Sequence, residues 1–104
     1  MRIFRFITTI ISSILMTSCI INPNKISIAY PNWAEGIAVT HLAREILVEQ
    51  GFQVELLNAD IAPIFTSLAR GKTDVFLDSW LPVTHKPYFE KYQGKFEILG
   101  QVFD

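Results

Sequence analysis

Apolar and polar residues follow two different periods along the chain. Three short runs are rich in β-branched and aromatic residues, which is typical of strands: residues 26–30, 52–58 and 74–80. Between these runs, in residues 35–50 and 61–70, apolar residues recur every three or four positions, as they do on one face of a helix. The pattern therefore predicts the order β-α-β-α-β.

The first predicted helix carries one apolar stripe, which we expect to face the sheet. The members of the stripe are Ala38, Val39, Leu42, Ala43, Ile46 and Leu47. Gly51 and Gly71 follow the two helices, at positions where a glycine commonly ends a helix. Beyond the third strand, the sequence predicts a short helix near residues 85–92 and a fourth strand at 95–103.

Alternating strands and helices indicate an α/β fold with a parallel sheet and right-handed crossovers. Ligands of such sheets bind outside the carboxyl ends of the strands. Trp33 follows the first predicted strand, and Asp60 follows the second. Trp80 and His85 follow the third. Because these loops meet at one edge of the sheet, we expect their side chains to converge there, although Asp60 has a simpler interpretation as the N-cap of the second helix.

The first 18 residues are typical of a secretory signal. Arg2 and Arg5 precede an apolar run at 6–16, and the small residues of LMTSC lead to Cys19. The run is shorter than the roughly 20 apolar residues that a membrane-spanning helix needs. Its end resembles a bacterial lipobox, in which Cys19 becomes the lipidated N-terminus. The alternative is an ordinary signal, or an uncleaved anchor, in which Cys19 is incidental.

Removal of the signal leaves a short linker, 19–25, and one small domain, 26–104. Segment 1–18 holds two of the nine basic residues and none of the ten acidic ones, so the remainder has a formal net charge of −3. This charge argues against nucleic-acid binding, which requires a clustered basic surface. Cys19 is the only cysteine, which excludes an internal disulfide and a metal site built from cysteines.

Two tryptophans on loops at one sheet edge favour a site for a cation that cannot form hydrogen bonds. The face of an indole attracts such cations, above all quaternary ammonium groups. Trp33 and Trp80 would be the walls of this site, and His85 would donate a hydrogen bond to a carboxylate on the same ligand. The alternative is that each tryptophan is half-buried packing, as most tryptophans are.

Three segments resemble the glycine betaine/choline-type substrate-binding proteins of ABC importers: NWAE (32–35), ADIAP (59–63) and DSWLPVTHK (78–86). They occur in the order and at the spacing found in that family, within a resemblance that extends from about Ile26 to Gly100. The fold that this resemblance implies is the parallel β-α-β-α-β half of a periplasmic-binding-protein-like (type II) fold. The signal helix would precede it.

The resemblance also implies roles and partners. Trp33 and Trp80 would belong to an aromatic cage around a trimethylammonium group, and His85 would bind the carboxylate of the ligand. An ABC permease and its ATPase would be the protein partners. The chain would lie on the outer face of the membrane, anchored through Cys19. No cofactor, metal or enzymatic activity is expected.

Two alternatives remain at this level. Members of the family have two lobes and are roughly three times as long, as a two-domain chain is, so this chain could instead be a truncated remnant without a transport role. An enzyme is the other alternative, with His85 as a base oriented by Asp78, but no nucleophile motif accompanies them. Asp74 and Asp78 could also form an acid pair on one strand, although a role at the end of the sheet is the simpler interpretation.

Overall fold

A parallel three-stranded sheet supports the helices and loops of the described chain. The computed structural model describes residues 22–102. The helices and strands, in chain order, are β1 (Lys25–Tyr30), α1 (Ala34–Glu49), β2 (Gln53–Asn58), α2 (Ile61–Ala69), β3 (Val75–Phe76) and α3 (Lys86–Lys91). The predicted signal, 1–18, and the predicted lipidation site at Cys19 lie outside the described residues.

Strand β1 lies in the middle of the sheet, whose order is β2-β1-β3. It pairs in parallel with all six residues of β2, but with β3 only through Ile28–Val75 and Ala29–Phe76. Parallel neighbours need crossover connections, which α1 and α2 provide. The predicted β-α-β-α-β order and the parallel sheet are therefore confirmed.

Two strand predictions are wrong in extent. The third strand is predicted over seven residues, 74–80, but β3 has only two. The strand predicted at 95–103 is absent from the described residues 95–102. A strand needs a hydrogen-bonded neighbour, and the described chain supplies none on the outer side of β3. Ile98 and Leu99 are consequently 57 % and 84 % exposed.

The buried face of helix α1 overlaps only part of its apolar stripe. Gly36 and Thr40 are buried, whereas Leu42 and Ile46 are 62 % and 52 % exposed. Small side chains allow a helix to approach the strands closely, so the side of α1 that carries Gly36 and Thr40 faces inward and half-buries Leu47. The predicted burial of Leu42 and Ile46 is wrong.

Glycines end both long helices, as predicted. Gly51 and Gly71 have φ angles of 91° and 70°, in the left-handed region that strains any residue with a side chain. Asp60 does occupy the N-cap position of α2, with extended backbone, but its side chain makes no capping hydrogen bond. The position of Asp60 was therefore predicted correctly, and the expected capping contact is absent.

Phe65 of α2 is the centre of the core near the end of β3. The ring is 2 % exposed and stacks on the ring of Tyr88, with centroids 5.1 Å apart and planes 7° apart. It also meets the rings of Phe76 and His85, each with a centroid distance of 5.6 Å. These contacts join α2 to β3, to α3 and to the loop that precedes α3.

Asp74 fastens the start of β3 to β1. Its Oδ2 accepts hydrogen bonds from the backbone N–H and the hydroxyl of Ser27, at 2.8 and 3.0 Å. Asp78 instead accepts a hydrogen bond from the indole of Trp80. The two carboxylates therefore have separate partners, which confirms the role of Asp74 at the end of the sheet and contradicts an acid pair.

Residues 22–102 contain neither a membrane-spanning helix nor a cluster of metal-binding side chains. No helix in this range is both long enough and apolar enough to cross a bilayer. Within the same range, no three His, Cys, Asp or Glu side chains are grouped in a way that would hold a metal ion.

Candidate functional site

Trp33 lies between β1 and α1, at the N-cap of the helix. Its backbone is extended, with φ −110° and ψ 147°, and its carbonyl accepts a hydrogen bond from the N–H of Ile37 at 2.9 Å. An indole has no acceptor with which to cap a helix, so helix stability does not explain a tryptophan at this position. The side chain is 37 % exposed, which leaves part of the ring open to a ligand.

Two reciprocal hydrogen bonds close the loop between Trp80 and His85. The backbone N–H of Trp80 donates to Nδ1 of the His85 ring at 2.9 Å, and the backbone N–H of His85 donates to the carbonyl of Trp80 at 2.9 Å. The Leu81–Pro82 peptide bond within the loop is cis. The five-residue spacing of the tryptophan and the histidine thus has a structural reason, because the ring of His85 folds back onto the start of its own loop.

The ring of His85 is buried between the core and Trp33. It is 2 % exposed, meets Phe65 edge to face, and stacks on the indole of Trp33 with centroids 5.8 Å apart and planes 22° apart. Burial lowers the pKa of His85 below its ordinary value of 6.5, which favours the neutral ring. Because Nδ1 accepts the hydrogen bond from Trp80, the proton of the neutral ring is on Nε2, which remains available as a donor.

Trp80 is held at its indole nitrogen as well. The Nε1–H donates to Oδ1 of Asp78 at 2.9 Å, while 52 % of the Trp80 side chain is exposed. Asp78 itself is only 3 % exposed. Burial raises the pKa of Asp78, the hydrogen bond from Trp80 opposes this rise, and the negative charge of Glu35 adds to it. The acceptor of the indole is therefore a buried carboxyl group.

A cleft of about 560 Å³ lies between the two indoles. It is lined by Trp33, Ala34, Glu35, Trp80 and Thr84. The three predicted site residues do come together, since the ring of His85 contacts Trp33 and is hydrogen-bonded to Trp80. His85 lies behind the cleft and is not part of its lining.

Sequence reasoning missed three residues of the cleft lining, Ala34, Glu35 and Thr84, and included two that do not line it, His85 and Asp60. Glu35 is part of the NWAE segment, and its place next to Trp33 in the first turn of a predicted helix was an available signal. Thr84 carried no signal of its own. Asp60, on the loop after β2, is not among the residues that line the cleft.

Residues 24–103 match a family model described as the substrate-binding domain of an ABC-type glycine betaine transport system, OpuAC. The chain belongs to the OpuAC family. A similar protein is the glycine betaine/carnitine transport binding protein GbuC of Listeria monocytogenes, which is 32 % identical over 80 residues. The matched region covers 77 % of this chain and 27 % of GbuC.

Two solved structures have the same fold as this OpuAC-family chain. Lactococcal OpuAC, in a closed conformation complexed with glycine betaine, aligns with a TM-score of 0.71 and 31 % identity, over 74 % of this chain and 30 % of that chain. The glycine/betaine/L-proline-binding protein ProX of Borrelia burgdorferi aligns with a TM-score of 0.64 and 29 % identity, over 65 % of this chain and 26 % of that chain.

Membership of the OpuAC family confirms both the resemblance and the fold class. The matched proteins are substrate-binding components of transporters and not enzymes, which contradicts the enzyme alternative. This chain spans less than a third of the length of each of these relatives.

The lowered pKa of His85 predicts how stability depends on pH. Below about pH 6.5 the unfolded chain binds a proton at this position that the folded chain rejects, so stability falls as the pH falls. The contribution of the neutral His85 ring to the free energy of unfolding is complete above about pH 6.5. It is lost progressively as the pH falls from there to the pKa of His85 in the folded chain. Denaturant unfolding of the full chain in maltoside micelles between about pH 8 and pH 5 measures this loss.

The matched variants are His85→Asn and His41→Asn. Asparagine at position 85 offers an oxygen where Nδ1 accepts the hydrogen bond, but it does not titrate, so the pH dependence over this range should become flatter. His41, the other histidine, is exposed, and His41→Asn controls for the removal of a histidine as such. An unchanged pH dependence in His85→Asn would contradict the assignment.

Proposed function

We propose that the chain is part of the substrate-binding component of an ABC importer for quaternary ammonium compounds such as glycine betaine and choline. The observation that carries this proposal is the open cleft between the indoles of Trp33 and Trp80, with Glu35 in its lining. The cleft lies beyond the carboxyl ends of β1 and β3, where parallel sheets bind ligands. Glycine betaine, with which lactococcal OpuAC is complexed, has the chemistry that such a cleft would take.

The physical argument concerns a cation that offers no N–H group. A trimethylammonium group cannot donate a conventional hydrogen bond, so aromatic faces and a nearby negative charge are the means of attracting it. Trp80 is about half exposed and Trp33 about a third, so both rings have surface to offer. Glu35 supplies the negative charge, and the rest of the cleft lining is uncharged.

For His85 we propose two roles. The neutral ring fixes Trp80 through Nδ1, and its Nε2–H is the donor for the carboxylate of a zwitterionic ligand. In the observed arrangement the ring is 2 % exposed, so a ligand would have to reach the edge of the ring past Trp33. A neutral imidazole suits this role, because it donates one hydrogen bond without adding a positive charge next to the cationic end of the ligand.

The described chain forms only one side of the proposed site and leaves the cleft open to solvent, so we expect weak binding. Cation–π contacts are worth about 0.5–1 kcal/mol each at exposed sites and about 2 kcal/mol when they are shielded from water. Two exposed contacts together contribute about 1–2 kcal/mol, whereas a Kd of 1 mM requires about 4.1 kcal/mol, so we expect a Kd well above 1 mM. We propose that a second lobe, from a longer form of this chain or from another polypeptide, closes over the ligand.

Replacing Trp80 should weaken the binding of every quaternary ammonium ligand. We expect Trp80→Ala to lower the affinity for choline about two- to fivefold, the size of one exposed cation–π contact, and Trp80→Phe to lower it less. Titration of the full chain in maltoside micelles, followed by NMR, suits this affinity range. Detergents with a choline head group must be avoided because they would compete with the ligand.

The matched control is Val83→Ala. Val83 lies in the same loop, is 79 % exposed and does not line the cleft, so its truncation should leave choline binding unchanged. If Trp80→Ala binds choline as well as the parent does, the aromatic site is wrong.

His85→Asn separates the two proposed roles of the histidine. The variant keeps an acceptor for the N–H of Trp80 but loses the Nε2–H donor. Its affinity for glycine betaine should therefore fall about tenfold, the size of one hydrogen bond to a charged group. Choline, which has no carboxylate, should bind nearly as it does to the parent. Equal losses for both ligands would remove the contact to the carboxylate and leave only the positioning role.

We further propose that residues 1–18 are a signal, that Cys19 is lipidated, and that the folded domain of residues 26–104 lies on the outer face of the membrane. A permease and an ATPase would be its partners there. Cysteine acylated by several chains gives stable anchoring, whereas a single chain gives only marginal binding. The described residues contribute no alternative anchor in the form of a spanning helix.

The mass of the native polypeptide, extracted from membranes of the producing cell, tests the anchor. We expect a species that lacks residues 1–18 and carries acyl chains on Cys19, and we expect Cys19→Ser to be free of them. An unacylated native species would overturn the anchor. A species several-fold heavier would show that the 104 residues belong to a larger polypeptide.

The second candidate is a remnant without a transport role. A groove of about 1320 Å³ runs between the exit of β3 and the segment that ends at Val102. Its lining includes Leu99, which is 84 % exposed. Apolar surface of this kind promotes association when nothing covers it. Self-association of the parent chain without any binding of choline would favour this candidate.

A further inference from the structure

Asp78 is buried at a cost that its contacts do not offset. The residue is 3 % exposed, and only Oδ1 has a hydrogen-bond donor among the described residues. Oδ2 is buried without a partner in the described chain. Removing a carboxyl group from water is unfavourable unless its oxygens are satisfied, and the upward shift of its pKa agrees with that cost. Stability therefore does not explain an aspartate at this position.

The indole that Asp78 holds is the exposed one. Trp80 is 52 % exposed, so packing restrains its side chain less than it would restrain a buried one. The indole N–H donates a hydrogen bond to Asp78, and the backbone N–H donates one to the ring of His85. Hydrogen bonds therefore hold both the side chain and the backbone of Trp80. A side chain that is already held in its binding orientation loses less conformational entropy when the ligand arrives.

Helix α1 leaves room for this carboxyl group. A Cβ atom at Gly36 would lie 2.7 Å from Oδ2 of Asp78 and 3.3 Å from two ring carbons of Pro31. Glycine inside a helix costs about 1 kcal/mol relative to alanine, so the absence of a side chain at position 36 reserves the space in which Asp78 lies. The same helix begins directly after Trp33, so one helix carries Trp33 at its start and borders the carboxyl group that holds Trp80.

We propose that Asp78 is a positioning residue of the quaternary ammonium site, holding the indole of Trp80 with its face towards the ligand. The inference rests on the proposed function and adds a residue that does not line the Trp33–Trp80 cleft itself. A hydrogen bond from the indole N–H to a carboxylate also shifts electron density into the ring, which strengthens the attraction between the ring face and a cation.

The first readout needs no ligand. In ¹⁵N–¹H spectra of the full chain in maltoside micelles, the two tryptophans give two indole N–H signals, and Trp33→Phe identifies that of Trp80. Asp78→Ala should move the Trp80 signal towards the position of a free indole and speed its exchange with water. Asp78→Asn keeps an oxygen acceptor and should leave the signal near that of the parent.

The second readout is the affinity for tetramethylammonium, which has no carboxylate for His85 to bind. Asp78→Ala should lower this affinity about two- to fivefold, as expected when one exposed cation–π contact is lost. Asp78→Asn should keep most of the affinity. Glu49→Gln is the charge control, because it removes one negative charge about 20 Å along α1 from Glu35, given a rise of about 1.5 Å per residue.

Asp78→Leu covers the case in which Asp78→Ala does not fold. Leucine has a similar volume, offers no acceptor and removes the unpartnered oxygen, so it should fold at least as well as the parent and show the same displaced indole signal. An unmoved signal in both variants would overturn the proposal. So would a displaced signal with parental affinity, provided that Trp80→Ala binds less well.

Failure of the proposed function would look different. In that case the parent chain itself would bind neither tetramethylammonium nor choline, whereas the indole signal would still show whether Asp78 fixes Trp80. A signal that Asp78→Leu leaves in place would then overturn the positioning role independently of any ligand.

Discussion

The candidate site depends on the hydrogen bond between the backbone of Trp80 and the ring of His85. This bond folds the loop after β3 onto itself and requires a neutral ring, a condition that burial against Phe65 favours. The other face of the imidazole supports Trp33, which comes from a different loop. One buried ring therefore connects the core to both exposed indoles, and its packing sets the geometry of the cleft between them.

Stability and geometry compete in this part of the molecule. The buried apolar core of the described chain is small and consists of Ile28, Ala29, Ile64 and Phe65. Next to it lie buried polar groups without hydrogen-bond partners in the described residues, Oδ2 of Asp78 and the hydroxyl of Ser79, in the two positions before Trp80. Proteins keep such unfavourable groups where local structure serves a site. Of the three buried polar atoms without a hydrogen-bond partner among the described residues, two thus lie directly before Trp80, and the third is the hydroxyl of Thr40 on α1.

The exposed apolar surface fits a chain that matches only part of each larger relative. Leu42 and Ile46 on α1 face solvent, and Leu99 is the most exposed large apolar residue within 22–102. The cleft is likewise open to solvent, so a ligand held there would keep much of its hydration. Shielding from water raises a cation–π contact from about 0.5–1 to about 2 kcal/mol, so the proposed site would bind more tightly if further chain covered it.

The sequence by itself determined the features that depend on neighbouring residues. It predicted the order of strands and helices, the glycines that end α1 and α2, and the loops that bring Trp33, Trp80 and His85 to one edge of the sheet, because hydrophobic period and parallel-sheet geometry are enough for these.

Tertiary structure alone decided the length of β3, the absence of a strand at residues 95–102 and the face that α1 buries. Each of these depends on a partner that is distant in the chain: strands need a hydrogen-bonded neighbour, and a helix buries whichever face packs most closely. For the same reason only the fold could show that His85 lies behind the cleft and that Asp78 holds Trp80, since hydrogen-bond partners are selected by proximity in space.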